Sequence, residues 1–103
     1  MGIDISLRNE RGEIQGAEIL SPPGILHHIL PVITDDSYCC LRFIDWHGYT
    51  VFNNLQMPVF LAEWERIVAR TQDEFETKHL EEIRELALKC KNGVHLYLWF
   101  RGD

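Results

Sequence analysis

The sequence MPVFLAEWERIV, residues 57–68, carries the clearest structural pattern in the chain. Its large apolar residues recur at the spacing of one helical stripe, and they are Met57, Phe60, Leu61, Trp64, Ile67 and Val68. Pro58 suits the first turn of a helix, where a missing N–H is no loss. The intervening charged residues are predicted on the opposite, solvated side, and they are Glu63, Glu65, Arg66 and Arg70. We therefore predict an amphipathic helix whose apolar stripe is the main anchor of the core.

A second helix is predicted over residues 71–93, directly after the first. Thr71 and Glu74 have the spacing of a capping box, and Asn92-Gly93 is typical of a left-handed helix end. The predicted inward stripe consists of Phe75, His79, Ile83, Leu86, Ala87 and Cys90. We expect the two helices to form an antiparallel hairpin.

Both ends of the chain show the period of two that is typical of β-strands. Ile3, Ile5 and Leu7 begin an N-terminal hairpin, whose return strand starts at Ile14 with a bulge predicted at Gly16. Residues 94–100 are apolar on both faces, which is typical of a central strand. Whether the aromatic face of that strand, with Tyr97 and Trp99, is covered or exposed stays open.

The middle of the chain predicts two more strands, over residues 38–44 and 49–52. Asp45-Trp46-His47-Gly48 is predicted to join them as a hairpin turn, with Gly48 in the left-handed conformation. Short helical turns are predicted between Ile25 and Pro31. The elements together predict an α+β fold, in which a mostly antiparallel sheet of about five strands carries an antiparallel helical hairpin on one face. The length of 103 residues predicts a single domain over residues 1–103.

The composition favours a protein partner over a nucleic acid or a membrane. The apolar fraction of 46% is typical of a globular chain, and 10 basic against 16 acidic residues give a net charge of −6. An acidic balance disfavours direct phosphate binding and favours a basic partner. No apolar stretch is long enough for a membrane span. Three cysteines without CxxC spacing indicate a reducing, cytoplasmic environment.

The pattern of reactive residues points away from catalysis. No CxxC, HxH or HExxH motif is present, and Cys39 and Cys40 would point to opposite sides of a strand. Neither a nucleophile elbow nor a phosphate-binding glycine loop occurs. We therefore predict no catalytic residue, no metal and no cofactor, while a small enzyme with a Cys–His or carboxylate site stays open as an alternative.

A set of exposed residues is predicted to bind a partner protein. Trp46 and His47 occupy a turn that normally carries small polar residues, and tryptophan is prominent in interface energetics. The predicted partner-binding residues are Asp35, Asp36, Trp46, His47 and Tyr49. The alternatives are that the acidic residues only keep the surface solvated and that the aromatic residues are simply buried.

Residues 41–58, LRFIDWHGYTVFNNLQMP, and residues 95–100, HLYLWF, resemble motifs of a widespread family of small bacterial proteins to which no activity is assigned. The size, acidity and α+β plan of the chain are similar to those of the immunity proteins of bacterial contact-dependent growth inhibition and related toxin systems. This second resemblance implies a role without assigning residues. The implied role is to bind and neutralise a cognate toxin, a basic nuclease domain, by stoichiometric occlusion. The alternative is a non-enzymatic regulatory or scaffold module that binds another bacterial protein.

Overall fold

The structure, a computed structural model, describes residues 2–102. Two helices and a four-stranded sheet form its regular elements, and residues 22–48 contain only two single 3₁₀ turns, Leu26–His28 and Leu41–Phe43. The sheet is antiparallel throughout, in the order β2-β1-β4-β3. In chain order the elements are β1 (Ile3–Asn9), β2 (Ile19–Ser21), β3 (Tyr49–Asn53), α1 (Met57–Arg70), α2 (Glu74–Asn92) and β4 (Leu96–Arg101).

The fold is α+β, as predicted, and both helices contact the sheet. Phe60 of α1 contacts Phe52 of β3 and Phe100 of β4, with ring centroids 5.3 and 6.0 Å apart. The Trp64 indole N–H donates to the Leu80 carbonyl oxygen at 3.0 Å, which joins α1 to α2 inside the core. Five of the six predicted stripe residues of α1 are buried, and Val68 is partly buried. The prediction that the last strand is central is confirmed, because β4 pairs with both β1 and β3.

The ends of α2 differ from the prediction. Asp73, not Thr71, caps the helix, since its carboxylate accepts the Glu76 N–H at 2.9 Å while the Thr71 hydroxyl donates to the Ile67 carbonyl oxygen. Gly93 has φ −100°, so the predicted left-handed end is wrong, and His95 carries the positive φ instead. The inward stripe holds Leu80, whereas the predicted Phe75 is exposed.

The fifth predicted strand is absent from residues 2–102, because residues 38–44 are not extended. The buried Glu63 side chain, only 5% exposed, takes the backbone donors that a strand would need. Its carboxylate oxygens accept the N–H groups of Cys39, Cys40 and Leu41 at 2.5, 3.0 and 3.0 Å. We call this arrangement the Glu63 clamp. Predicting Glu63 on the solvated side of α1 was therefore wrong.

The N-terminal hairpin is interrupted near its turn. Ile14 makes one isolated bridge with Arg8, and regular pairing resumes only where Ile19 faces Ile5. The return segment thus contains two more residues than β1 over this interval, and Gly16 lies among them with φ +82°. The sequence predicts a bulge at Gly16, whereas the structure has a gap in the strand pairing there. Gly48 does not adopt the predicted left-handed conformation.

The Glu63 clamp predicts a large effect on stability. Replacing Glu63 by glutamine puts an amide NH₂ group against three N–H donors, two of them buried, and these donors lose a charged acceptor. We expect Glu63→Gln to lower the free energy of unfolding by about 2–4 kcal/mol, measured by urea denaturation. The matched Glu82→Gln change on the exposed side of α2 should cost no more than about 0.5 kcal/mol. Equal effects in the two variants would contradict this account.

Candidate functional site

Residues 22–48 form a long irregular segment that is held against α1. Besides the Glu63 clamp, Arg66 donates to the Ser37 carbonyl oxygen at 2.7 Å and Arg70 to the Ile29 carbonyl oxygen at 2.9 Å. Both guanidinium groups lie over the Tyr38 ring, at 4.1 and 5.9 Å from its centroid. Irregular segments longer than about 12–15 residues are uncommon and are usually functional or disordered. This segment is pinned by charged side chains, so a functional surface is the better interpretation.

A groove of about 500 Å³ opens within this segment. Its exposed apolar side chains include Val32, Ile33 and Phe43. Arg42 donates to the Ile33 carbonyl oxygen at 3.3 Å, and its guanidinium lies 4.6 Å from the centre of the Phe43 ring. The groove is lined by Val32, Ile33, Arg42, Phe43, Ile44, Asp45 and Trp46. Clustered exposed apolar side chains of this kind are typical of interaction sites.

Two carboxylates, those of Asp35 and Asp36, come shortly after the groove residues Val32 and Ile33 in the chain. Asp35 accepts the Ser37 N–H at 3.1 Å and the Ser37 hydroxyl at 2.6 Å. These hydrogen bonds hold the pKa of Asp35 below its ordinary value, so the side chain stays charged at neutral pH. Asp36 is exposed next to it. We call the combination of groove and acidic turn the loop surface, and define it by Val32, Ile33, Asp35, Asp36, Phe43 and Trp46.

The structure divides the predicted partner-binding residues between two surfaces. Trp46 lines the groove and stacks on His27, with ring centroids 4.3 Å apart. His47 is exposed beside it, and its N–H donates to the Asp45 carboxylate at 2.8 Å. Both belong to a turn that leads from the irregular segment into β3, not to the tip of a hairpin between two strands. Tyr49 does not line the groove, because it lies on the sheet.

The face of the sheet opposite the helices forms the second surface, which we call the open sheet face. Pairing places its residues in three rows across the strands: Leu20, Asp4, Arg101 and Tyr49; then Ser6, Trp99 and Val51; then Arg8, Tyr97 and Asn53. The Arg8 guanidinium lies 4.7 Å from the Trp99 ring centre, and Tyr49 meets that ring edge-on at 5.6 Å. Leu20, Tyr49 and Val51 are exposed, so the aromatic face of the last strand is only partly covered. The alternating apolar residues of β4 indicated this face in the sequence. They did not indicate that Arg8 and Arg101 also lie on it.

The buried polar groups of the core have structural explanations. Ser21 and His79 form a hydrogen bond of 2.6 Å that joins β2 to α2, and neither residue lines the groove. Residues 2–102 contain no group of three or more His, Cys, Asp or Glu side chains arranged to hold a metal ion. Burial raises the pKa of the Cys40 and Cys90 thiols to about 11, with the Glu63 charge adding to the effect at Cys40.

Comparisons with known proteins give no relative for this chain. No protein-family model, curated protein or solved structure matches it. Within the part of the chain that the structure describes, no helix combines the length and apolar character needed to cross a membrane.

The raised pKa values predict that two of the three thiols are inert. A thiol reacts as its thiolate, and a pKa of about 11 leaves Cys40 and Cys90 protonated at pH 8. We expect a disulfide reagent such as DTNB to label one exposed thiol, Cys39, in the folded protein and all three only after denaturation. Cys39→Ser should remove the fast phase of the reaction with DTNB, which is the labelling of the folded protein. A fast phase that persists in this variant would contradict the prediction.

Proposed function

We propose that this chain is an immunity-type inhibitor, which binds a basic toxin domain stoichiometrically through the loop surface. The observation that carries the proposal is the clustering of exposed Val32, Ile33 and Phe43 around the Trp46 groove, whose segment continues directly into the acidic turn of Asp35 and Asp36. An exposed apolar centre with charged residues beside it is the usual anatomy of a protein interface.

The rigidity of the loop surface supports a binding role. Side chains of α1 fix the loop backbone through Glu63, Arg66 and Arg70, so little conformational entropy remains to be lost when a partner binds. The loop backbone therefore supplies a preorganised frame for its exposed side chains. A rigid, irregular surface of this kind also suits recognition of one partner among several related ones.

The charge of the chain supports a basic partner. The net charge is −6, and Asp35 and Asp36 follow the groove residue Ile33 by two and three positions in the chain. Nuclease domains carry basic side chains where they hold phosphate, and carboxylates can occupy that position in place of a substrate. The wider acidic field accelerates encounter, and its exposed contributors on α2 are Glu74, Glu81, Glu82 and Glu85.

Inhibition in this proposal is occlusion without turnover. The apolar groove would receive one or two side chains of the toxin, while the acidic turn would pair with cations around its active site. None of the residues of the loop surface needs to act as an acid, base or nucleophile for this mechanism. One inhibitor molecule would therefore neutralise one toxin domain.

Growth rescue tests the proposal directly. The C-terminal region of the protein encoded immediately upstream is expressed in a sensitive host, with and without this chain. We expect this region to stop growth alone and the chain to restore growth while forming a one-to-one complex. Failure of rescue would refute inhibition, and a complex without rescue would favour the regulatory or scaffold alternative.

A matched pair of phenylalanines tests the assignment to the groove. Phe43 is 51% exposed on the loop surface and Phe75 is 66% exposed on α2, so both can be truncated with little effect on the core. We expect Phe43→Ala to weaken the complex by about 2 kcal/mol, roughly 30-fold in Kd by titration calorimetry, and Phe75→Ala to leave Kd unchanged. Equal effects of the two variants would exclude the loop surface as the interface.

The acidic turn is predicted to act mainly on the association rate. Asp35→Asn/Asp36→Asn removes two charges but keeps an oxygen that can accept the Ser37 hydrogen bonds. We expect association to slow by about tenfold at low salt, with the difference shrinking as salt is added. The control Glu81→Gln/Glu82→Gln removes the same charge from exposed positions on α2 and should slow association less. Stopped-flow fluorescence measures both rates.

A further inference from the structure

We infer that the open sheet face is a dimerisation surface, and that its occupant is a second copy of this chain. Leu20, Tyr49 and Val51 are exposed there, and Trp99 lies at the centre of the face. This inference does not rest on the proposed inhibitory function, because the loop surface has no part in it.

The layout of charges on the face is self-complementary. Asp4 lies in the first row and Arg8 in the third, two residues to either side of the middle row of Ser6, Trp99 and Val51. Consider a two-fold axis that lies between the two copies and runs along the middle row, across the strands. Rotation about this axis places each strand of the second copy over its own equivalent, with the chain running in the opposite direction. Asp4 then faces Arg8 of the second copy, and Arg8 faces Asp4 of the second copy. An isologous interface requires such mutual pairing.

The same axis places the other side chains in favourable contacts. Arg101 of the first row falls over Tyr97 of the second copy, where a guanidinium can lie on an aromatic ring. Trp99 and Val51 meet their own equivalents and form an apolar centre. Arg8 and Asp4 already make contacts within their own chain, to Trp99 and Arg101 respectively, so both side chains are oriented before the second copy arrives.

The partner implied by this charge pattern is neither basic nor strongly acidic. Asp4 bonds to Arg101, while Arg8 has no carboxylate partner among residues 2–102. A basic partner would be repelled by the Arg8 cation. A strongly acidic partner would be repelled by the Asp4 carboxylate at the other end of β1. A second copy brings its Asp4 to Arg8, which has no carboxylate of its own among these residues.

The size of the face predicts a weak dimer. Four strands about 4.8 Å apart and up to about five residues long on this face, at about 3.3 Å per residue, outline at most roughly 20 × 17 Å, because β2 has only three residues. The outline of about 340 Å² is less than half of the roughly 800 Å² that a standard stable interface buries on each partner. We expect monomer and dimer to exchange at micromolar concentrations.

Sedimentation equilibrium with a matched pair of valines tests the inference. Val51 is 43% exposed in the middle row, and Val59 is 45% exposed on α1, so lysine is tolerated at both positions. We expect the full chain to show a monomer–dimer equilibrium between about 5 and 500 µM, a range that brackets weak association. Val51→Lys should weaken the dimer at least about tenfold by placing like charges on the axis, while Val59→Lys should match the wild type.

Cross-linking tests the position of the axis. Val51→Cys in a Cys39→Ser background places the new thiol next to its own equivalent, and the remaining cysteines, Cys40 and Cys90, are buried. We expect mild oxidation to give a covalent dimer for this variant and none for Val59→Cys in the same background. A wild-type chain that stays monomeric to 500 µM, a dimer unaffected by Val51→Lys, or equal cross-linking of the two cysteine variants would each overturn the inference.

Discussion

One buried carboxylate determines the shape of the largest irregular part of the molecule. Three successive backbone N–H groups, those of residues 39–41, converge on Glu63 of α1. A buried carboxylate and buried N–H donors would each be costly without a partner, and here they satisfy one another. Because the donors are used here, this part of the chain cannot pair with the edge of β3. The groove beside Trp46 exists because the chain turns away from the sheet at this point.

The molecule presents two surfaces of different chemistry. The loop surface combines apolar side chains with the carboxylates of Asp35 and Asp36, whereas the open sheet face combines aromatic rings with the cations of Arg8 and Arg101. The first is irregular and suits one specific partner. The open sheet face is formed by regular strand pairing, and its charged residues are placed so that they suit a two-fold axis. Their separation allows inhibition and self-association to be tested independently.

Local patterns predicted the regular elements and failed where a distant side chain intervened. The stripe of α1 and the two apolar faces of β4 are periodic over several residues, so burial follows from spacing. By contrast, residues 38–44 have the composition of a strand, and only the three-dimensional position of Glu63 shows why they are not one. Trp46 was identifiable because it is unusual in a turn. Phe43 was not, since exposure of an apolar residue outside a periodic element leaves no trace in the sequence.

The central position of β4 has a consequence for the order of folding. Ile5 pairs with Phe100, so the two strands that meet there close nearly the longest loop that the chain allows. Helices α1 and α2 adjoin in sequence and need only a short loop closure to pack together. In folds of this topology the chain loses the loop-closure entropy of the distant strand pairing late in folding. That step limits the folding rate. Withdrawal of β4 would separate β3 from β1, because β4 is the strand that pairs with both of them.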